Sequence, residues 1–244
     1  MASPETKPGH RSSSGELASP SVTEVCADLK LTLPPSAEID RYLGYPHGAI
    51  PGRNVAQRIR PVVEEAQLCL KPRGAFSLHA VTGRGPRSLT FGDAAIFGSV
   101  GEFLEGADRI AIFVVTVGEE ISQLAAQARQ RGDVFMEWVV DAVGSWAAEA
   151  TADALMECIR HHTAPDESLT LRYSPGYCGM DIAQQRTLFE MVQADAIGVK
   201  LLPSCLMYPL KSLSGSVGLG PGVAVDSHRA PCDHCDRVGC HMRR

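Results

Sequence analysis

No run of apolar residues in this sequence is long enough to span a bilayer, and its start lacks the charged-then-apolar plan of a secretory signal. Neither a helical membrane protein nor a secreted one is expected, and the reading is cytoplasmic. A long basic run is also missing. With a formal net charge of −5, a dedicated nucleic-acid binder is not expected. No internal repeat recurs, which sets aside solenoid and propeller architectures. What is present is a hydrophobic content of 44% in 244 residues, enough to fill one large core or two small ones. Eight cysteines in a reducing compartment read as thiols or metal ligands rather than disulfides.

Along the chain, residues 1–20 are rich in Ser, Pro, Gly, Glu and Lys and too poor in apolar side chains to offset the entropy of ordering, so a disordered tail is expected. A short strand is expected near Leu29–Leu33, then a helix over 53–70 with Val55, Ile59, Val62, Val63, Ala66 and Leu70 on its inner face. Residues 76–81 and 88–91 read as a hairpin around a loop at 82–87, and 94–104 as a segment containing a short helix. The β-branched run 110–117 reads as a buried strand. A helix over 119–131 stops at Gly132, and Asp133 caps the longest helix, running to about His162. Asp181 opens a helix to about Val192. Short strands or irregular segments at 199–202 and 205–208 and a strand within 211–220 complete the sequence of elements. Helices and strands in this order predict an α+β fold: one mixed domain, residues 21–225, with a central, largely antiparallel sheet and long flanking helices.

The segment Arg172-Tyr173-Ser174-Pro175-Gly176-Tyr177-Cys178-Gly179 concentrates chemistry in one irregular stretch. Arg172 offers a planar fork suited to a carboxylate or phosphate, and Tyr173 and Tyr177 offer ring faces and hydroxyls. Pro175, Gly176 and Gly179 free the backbone to face a ligand. Upstream, a stripe drawn through Phe135, Trp138, Val139, Ala142 and Trp146 brings Glu149, Asp153 and Glu157 onto the expected core face of the long helix. Carboxylates there need partners. An internal ion pair with Arg172 or another core arginine meets that need, as does a helix that leaves the core before Glu149; for Glu149 and Asp153, recognition of a cationic ligand is the competing reading.

Residues 226–244 form a Cys-rich segment in which Cys232, Cys235 and Cys240 stand with His234 and His241. Cys-x-x-Cys with a third thiol suits zinc or an iron–sulfur cluster, with Cys178, Cys205, His234 or His241 as a fourth ligand; a redox dithiol and an unstructured tail are the alternatives.

Taken together, the chain resembles the activation, or reactivation, domain of cobalamin-dependent methionine synthase over most of residues 50–220. The resemblance rests on Arg172, Gly176 and Tyr177 as an Arg-x-x-x-Gly-Tyr motif, on the acidic helix segment 148–153 before it, and on Met207-Tyr208-Pro209 and Ser212-Leu213-Ser214-Gly215 after it. It implies an S-adenosylmethionine site built from Arg172, Ser174, Gly176, Tyr177, Glu149, Asp153, Ser214, Gly215 and Val217. It also implies a methyltransferase component that reactivates a cobalamin carried by a partner. The homocysteine, folate and cobalamin modules are absent from so short a chain, so reactivation would occur in trans. The partner would be a corrinoid-binding protein, or a methionine synthase lacking its own activation domain, with an electron donor such as a flavodoxin or ferredoxin. The continuation Cys178-Gly179-Met180 and the cysteines Cys232, Cys235 and Cys240 resemble free-standing relatives. Two other readings keep the corrinoid partner: a non-catalytic docking scaffold, or an iron–sulfur electron-transfer protein.

Overall fold

A computed structural model describes residues 22–32, 36–46 and 48–224. Its centre is a seven-stranded, wholly antiparallel sheet built from β1 (Val22–Cys26), β2 (Arg73–Gly85), β3 (Ser88–Phe91), β4 (Ala94–Phe97), β5 (Arg109–Thr116), β6 (Ser168–Leu169) and β9 (Ser212–Gly220). The path runs β4-β3-β2-β5-β9-β6, and β1 joins β2 from Gly74 to Leu78. A second, two-stranded sheet pairs β7 (Lys200–Leu201) with β8 (Met207–Tyr208). The helices are α1 (Ser36–Tyr42), α2 (Arg53–Leu68), α3 (Val100–Phe103), α4 (Glu120–Gln130), α5 (Val134–Arg160) and α6 (Gln185–Met191). Among the described residues no helix is long and apolar enough to cross a membrane.

Strand alternation sorts the sheet's side chains into two cores. Phe76, Leu78, Ala111, Phe113, Val115, Val217 and Leu219 face Ala152, Leu155, Met156 and Ile159 of α5. On the opposite face Ala75, Ile110, Ile112 and Val114 join Phe91, Ile96, Leu104 and Tyr173. The first half of α5 is buried separately, through Met136, Val139, Val140, Val143 and Ala147, in a cluster shared with α1, α2 and α4. Because α5 meets the sheet with one half and three helices with the other, apolar residues surround much of its circumference. Its start is fixed as the sequence requires: the Asp133 carboxylate accepts the Met136 N–H at 2.9 Å.

Several expectations are corrected. The first strand lies at Val22–Cys26 rather than at 29–33, because β2 extends back to Arg73 and offers it an edge. The segment 82–87 is not all loop. β2 continues through Gly85, with a register shift between Val81 and Gly83, so only Pro86 and Arg87 make the turn. Residues 94–97, expected ahead of the short helix, form β4. The helix after Asp181 begins as a 3₁₀ turn, Ile182–Gln184, whose Ala183 N–H donates to the Asp181 carboxylate at 2.8 Å.

The stripe read on α5 holds at Val139, Ala142 and Trp146, which are buried, and fails at Phe135 and Trp138. Trp138 is 40% exposed. Phe135 lies at the rim, with the Arg58 guanidinium 4.2 Å above its ring. The fully buried line instead passes through Val139, Val143, Ala147, Ala152, Leu155 and Ile159. Glu149, Asp153 and Glu157 therefore lie off the core. Glu157 is exposed and, among the described residues, pairs with Arg160 of its own helix at 3.2 Å.

Candidate functional site

Downstream of β6 the chain runs beside β9 and alternates its side chains. Tyr173 turns into the core at 1% exposure, while Arg172 and Ser174 turn to the α5 side. The backbone of Tyr173 pairs with Ser216: its N–H donates to the Ser216 carbonyl at 2.9 Å, and its carbonyl accepts the Ser216 N–H at 2.8 Å. The Ser216 hydroxyl adds a third bond to the same carbonyl at 3.1 Å. The Tyr173 ring stacks on Phe103 with centroids 4.6 Å apart. Its hydroxyl accepts the Ser99 N–H at 2.8 Å and donates to the Cys178 carbonyl at 3.1 Å. Tyr173 is thus the loop's internal anchor and not a ligand-facing ring, which corrects the reading of both tyrosines as available surface. Tyr177 is the available one, at 64% exposure.

The loop closes on itself. Gly176 N–H donates to the Met180 carbonyl at 2.8 Å and Met180 N–H to the Tyr177 carbonyl at 2.9 Å. Gly176 sits at φ 87°, a region that favours glycine, and Cys178 adopts φ 45° without being one. Opposite the loop, Gly215 is needed for space. A Cβ there would lie 2.6 Å from Ser174 Oγ and 3.0 Å from both Phe113 Cζ and the Tyr173 carbonyl. Loop and strand touch because that side chain is missing.

Arg172 reaches across to α5. One terminal nitrogen donates to Glu149 Oε2 at 2.9 Å and lies 3.1 Å from Asp153 Oδ1. The i,i+4 spacing stacks the two carboxylates on one helix edge. Arg172 is 26% exposed, Glu149 42% and Asp153 71%, so the ion pairs are open to solvent. Two turns earlier the same edge carries Asp141 and Ser145, which hold Lys211 at 2.7 and 2.8 Å. Lys211 and Asp141 were not foreseen, although the 141, 145, 149, 153 spacing was visible. One cation between two carboxylates leaves the Arg172 group with surplus negative charge.

Of the other expected residues, Ser214 and Val217 have buried side chains. Ser214 faces the Phe91 side of the sheet and Val217 the α5 core. Ser214 reaches the site only through its backbone, which the hydrogen-bonded pair at Ser216 turns toward the loop side of β9. Val217 opposes Ala111 and touches the core, not the Arg172 surface. Cys232, Cys235 and Cys240 lie outside the described residues. Cys178, their expected fourth partner, is half-buried against the Phe91 core. Among the described residues no group of three or more His, Cys, Asp or Glu is placed to hold a metal ion. A cleft of about 700 Å³ bounded by Phe189, Val192, Lys200 and Leu201 shares no residue with the Arg172 surface.

The fold is similar to a solved structure described as the MetH reactivation domain bound to AdoHcy. The TM-score is 0.55 at 20% sequence identity, covering 85% of this chain and 82% of that one. Residues 101–224, just over half of the chain and the part that carries α5, the Arg172 loop and β9, match the family described as vitamin B12 dependent methionine synthase, activation domain. The chain belongs to that family.

Proposed function

We propose that the Arg172 surface binds S-adenosylmethionine and that the protein acts in trans, supplying that methyl donor to reactivate a corrinoid methyltransferase. The observation that carries this reading is the meeting of Arg172 with Glu149 and Asp153 at the loop of the Arg-x-x-x-Gly-Tyr motif. S-adenosylmethionine brings one carboxylate, one ammonium and one sulfonium, a surplus of positive charge that complements the surplus negative charge of the site. Arg172 holds the carboxylate through its fork, and Glu149 and Asp153 face the two cationic groups. In this reading the exposed ring of Tyr177 offers the adenine a stacking face and the backbone at Ser214 offers it hydrogen bonds. The similarity to a reactivation domain bound to AdoHcy, the demethylated product, supports the same ligand class.

The solvent-exposed Arg172 pairs are worth under about 1 kcal/mol, so exchanging them for ligand contacts costs the free protein little. The sulfonium makes the methyl group transferable. The acceptor is a cob(II)alamin carried by a partner and reduced by one electron from an outside donor; this chain's own task is to orient the donor. Titration calorimetry tests the reading. Arg172→Ala removes charge-assisted bonds worth roughly 1.5–3 kcal/mol, so S-adenosylmethionine affinity should fall by about 10- to 100-fold while Tm stays near wild type. Unchanged affinity in a folded variant would sink the assignment.

A further inference from the structure

The far end of α5 carries a second cluster, unconnected with the Arg172 surface. β1 runs along this end of the helix. Glu24 Oε2 meets His162 Nε2 at 2.8 Å, and Gly74, the register partner of Cys26, is packed so close to Leu155 that a Cβ there would lie 2.8 Å from its Cδ1. This alignment faces Cys26 toward α5 at the level of Leu155, one turn before Cys158, so that both cysteines pack against the same cluster, while the Cys26 S–H points to Glu24 Oε1 at 3.8 Å. Both sulfurs are reduced and half-buried at the margin of the sheet–helix core. Cys26 and His162 thus each meet one oxygen of the Glu24 carboxylate.

We propose that Cys26 and Cys158 form a peroxide-responsive dithiol that closes to an intramolecular disulfide and pins β1 to α5. Burial, the Cys158 thiol and Glu24 together push the Cys26 thiol up to about 12, so Cys26 keeps its proton until a base takes it. In the proposed order hydrogen peroxide oxidises Cys158 first, and Cys26, whose S–H already faces the Glu24 carboxylate, is the resolving thiol. A sulfur–oxygen bond forms, the peroxide O–O bond breaks, and a sulfenic acid and one water result. Cys26 then attacks the Cys158 sulfur. Its proton passes to Glu24, which His162 holds in place, and from there to the sulfenic oxygen; the S–S bond forms, the S–O bond breaks, and that oxygen leaves as a second water. Two thiols and one hydrogen peroxide yield one disulfide and two waters, and a thiol reductant reverses the change.

The test uses the full chain, reduced, desalted and titrated with hydrogen peroxide, followed by non-reducing peptide mapping. A Cys26–Cys158 linked peptide should appear and vanish on adding dithiothreitol, and Tm of the oxidised protein should rise by at least about 5 °C. In Cys26→Ser, Cys158 should persist as a dimedone-reactive sulfenic acid. In Glu24→Gln, which retains a hydrogen-bonding partner for His162, the same species should accumulate because closure slows by at least about tenfold. If the other cysteines oxidise while no Cys26–Cys158 link forms, the proposal is overturned. If the link forms at the wild-type rate in Glu24→Gln, the role given to Glu24 is overturned.

Discussion

Gly215→Ala isolates the contact that joins the Arg172 loop to the sheet. The added Cβ would lie 2.6 Å from Ser174 Oγ, its nearest neighbour, and 3.0 Å from Phe113 Cζ and the Tyr173 carbonyl. Phe113 is fixed in the sheet–helix core and the Tyr173 carbonyl is held by two bonds from Ser216, so relief requires the loop to lift by a few tenths of an ångström. Overpacking of this kind costs about 1–3 kcal/mol, and replacing glycine within a strand returns roughly 0.5–1 kcal/mol. A net loss of about 0.5–2 kcal/mol lowers Tm by roughly 1–8 °C. Calorimetry on the single variant, on Ser174→Ala and on the double variant gives the assay. Ser174→Ala should absorb part of the loss, giving a coupling of at least about 0.5 kcal/mol, and Gly215→Ala alone should weaken S-adenosylmethionine binding because Arg172 rides on the same loop. If Gly215→Ala is as stable and binds as tightly as wild type, or if the two changes simply add, the loop is not seated as described.

Three further outcomes are expected. Tyr173→Phe keeps the ring on Phe103 but deprives the Ser99 N–H and the Cys178 carbonyl of their shared hydroxyl, a loss of about 2–4 kcal/mol in denaturant unfolding; a loss below about 0.5 kcal/mol would show that water replaces it. Asp153→Asn should narrow the preference for S-adenosylmethionine over S-adenosylhomocysteine by about 2- to 5-fold, since only the former carries a sulfonium for the exposed carboxylate to face; an unchanged ratio in competition titration would assign the sulfonium elsewhere. Burial lowers the His79 pKa against a smaller opposing effect from the Met191 backbone, so the unfolded chain binds more protons than the folded one between that lowered value and about 6.5. Stability is then lost as pH falls below about 6.5, and His79→Gln should flatten that limb of a Tm-versus-pH curve.

The sheet and helices were legible where one local signal dominated. The β-branched run at 110–117 is buried on both faces and reads as a strand without knowledge of its neighbours. Asp133 and Gly132 mark a helix boundary through capping chemistry that needs no tertiary partner. The first strand and β4 were not legible, because each is held chiefly by an edge that a distant segment supplies: Gly74–Leu78 for one, Ser88–Phe91 for the other. The pairing of Tyr173 with Ser216 across 43 residues is of the same kind. Even so, the alternation of Arg172, Tyr173 and Ser174 already implied that one of the three points inward.

The α5 carboxylates show how a small error of phase carries into chemistry. A stripe drawn through Phe135 and Trp138 treats size and aromaticity as burial, yet both rings sit at a rim where cations and water reach them. Shifting the stripe by about one residue moves Glu149 and Asp153 from the core to its edge, and their physics changes with them. Inside, two carboxylates on one arginine would be a costly structural knot that no ligand could open cheaply. At the edge they form a solvated pair whose exchange for ligand groups costs little, while Tyr173, one residue from Arg172, keeps the loop rigid from within. The site combines a buried anchor with exposed charge on adjacent residues of one extended segment, so rigidity and exchangeable charge need not compete for the same side chain.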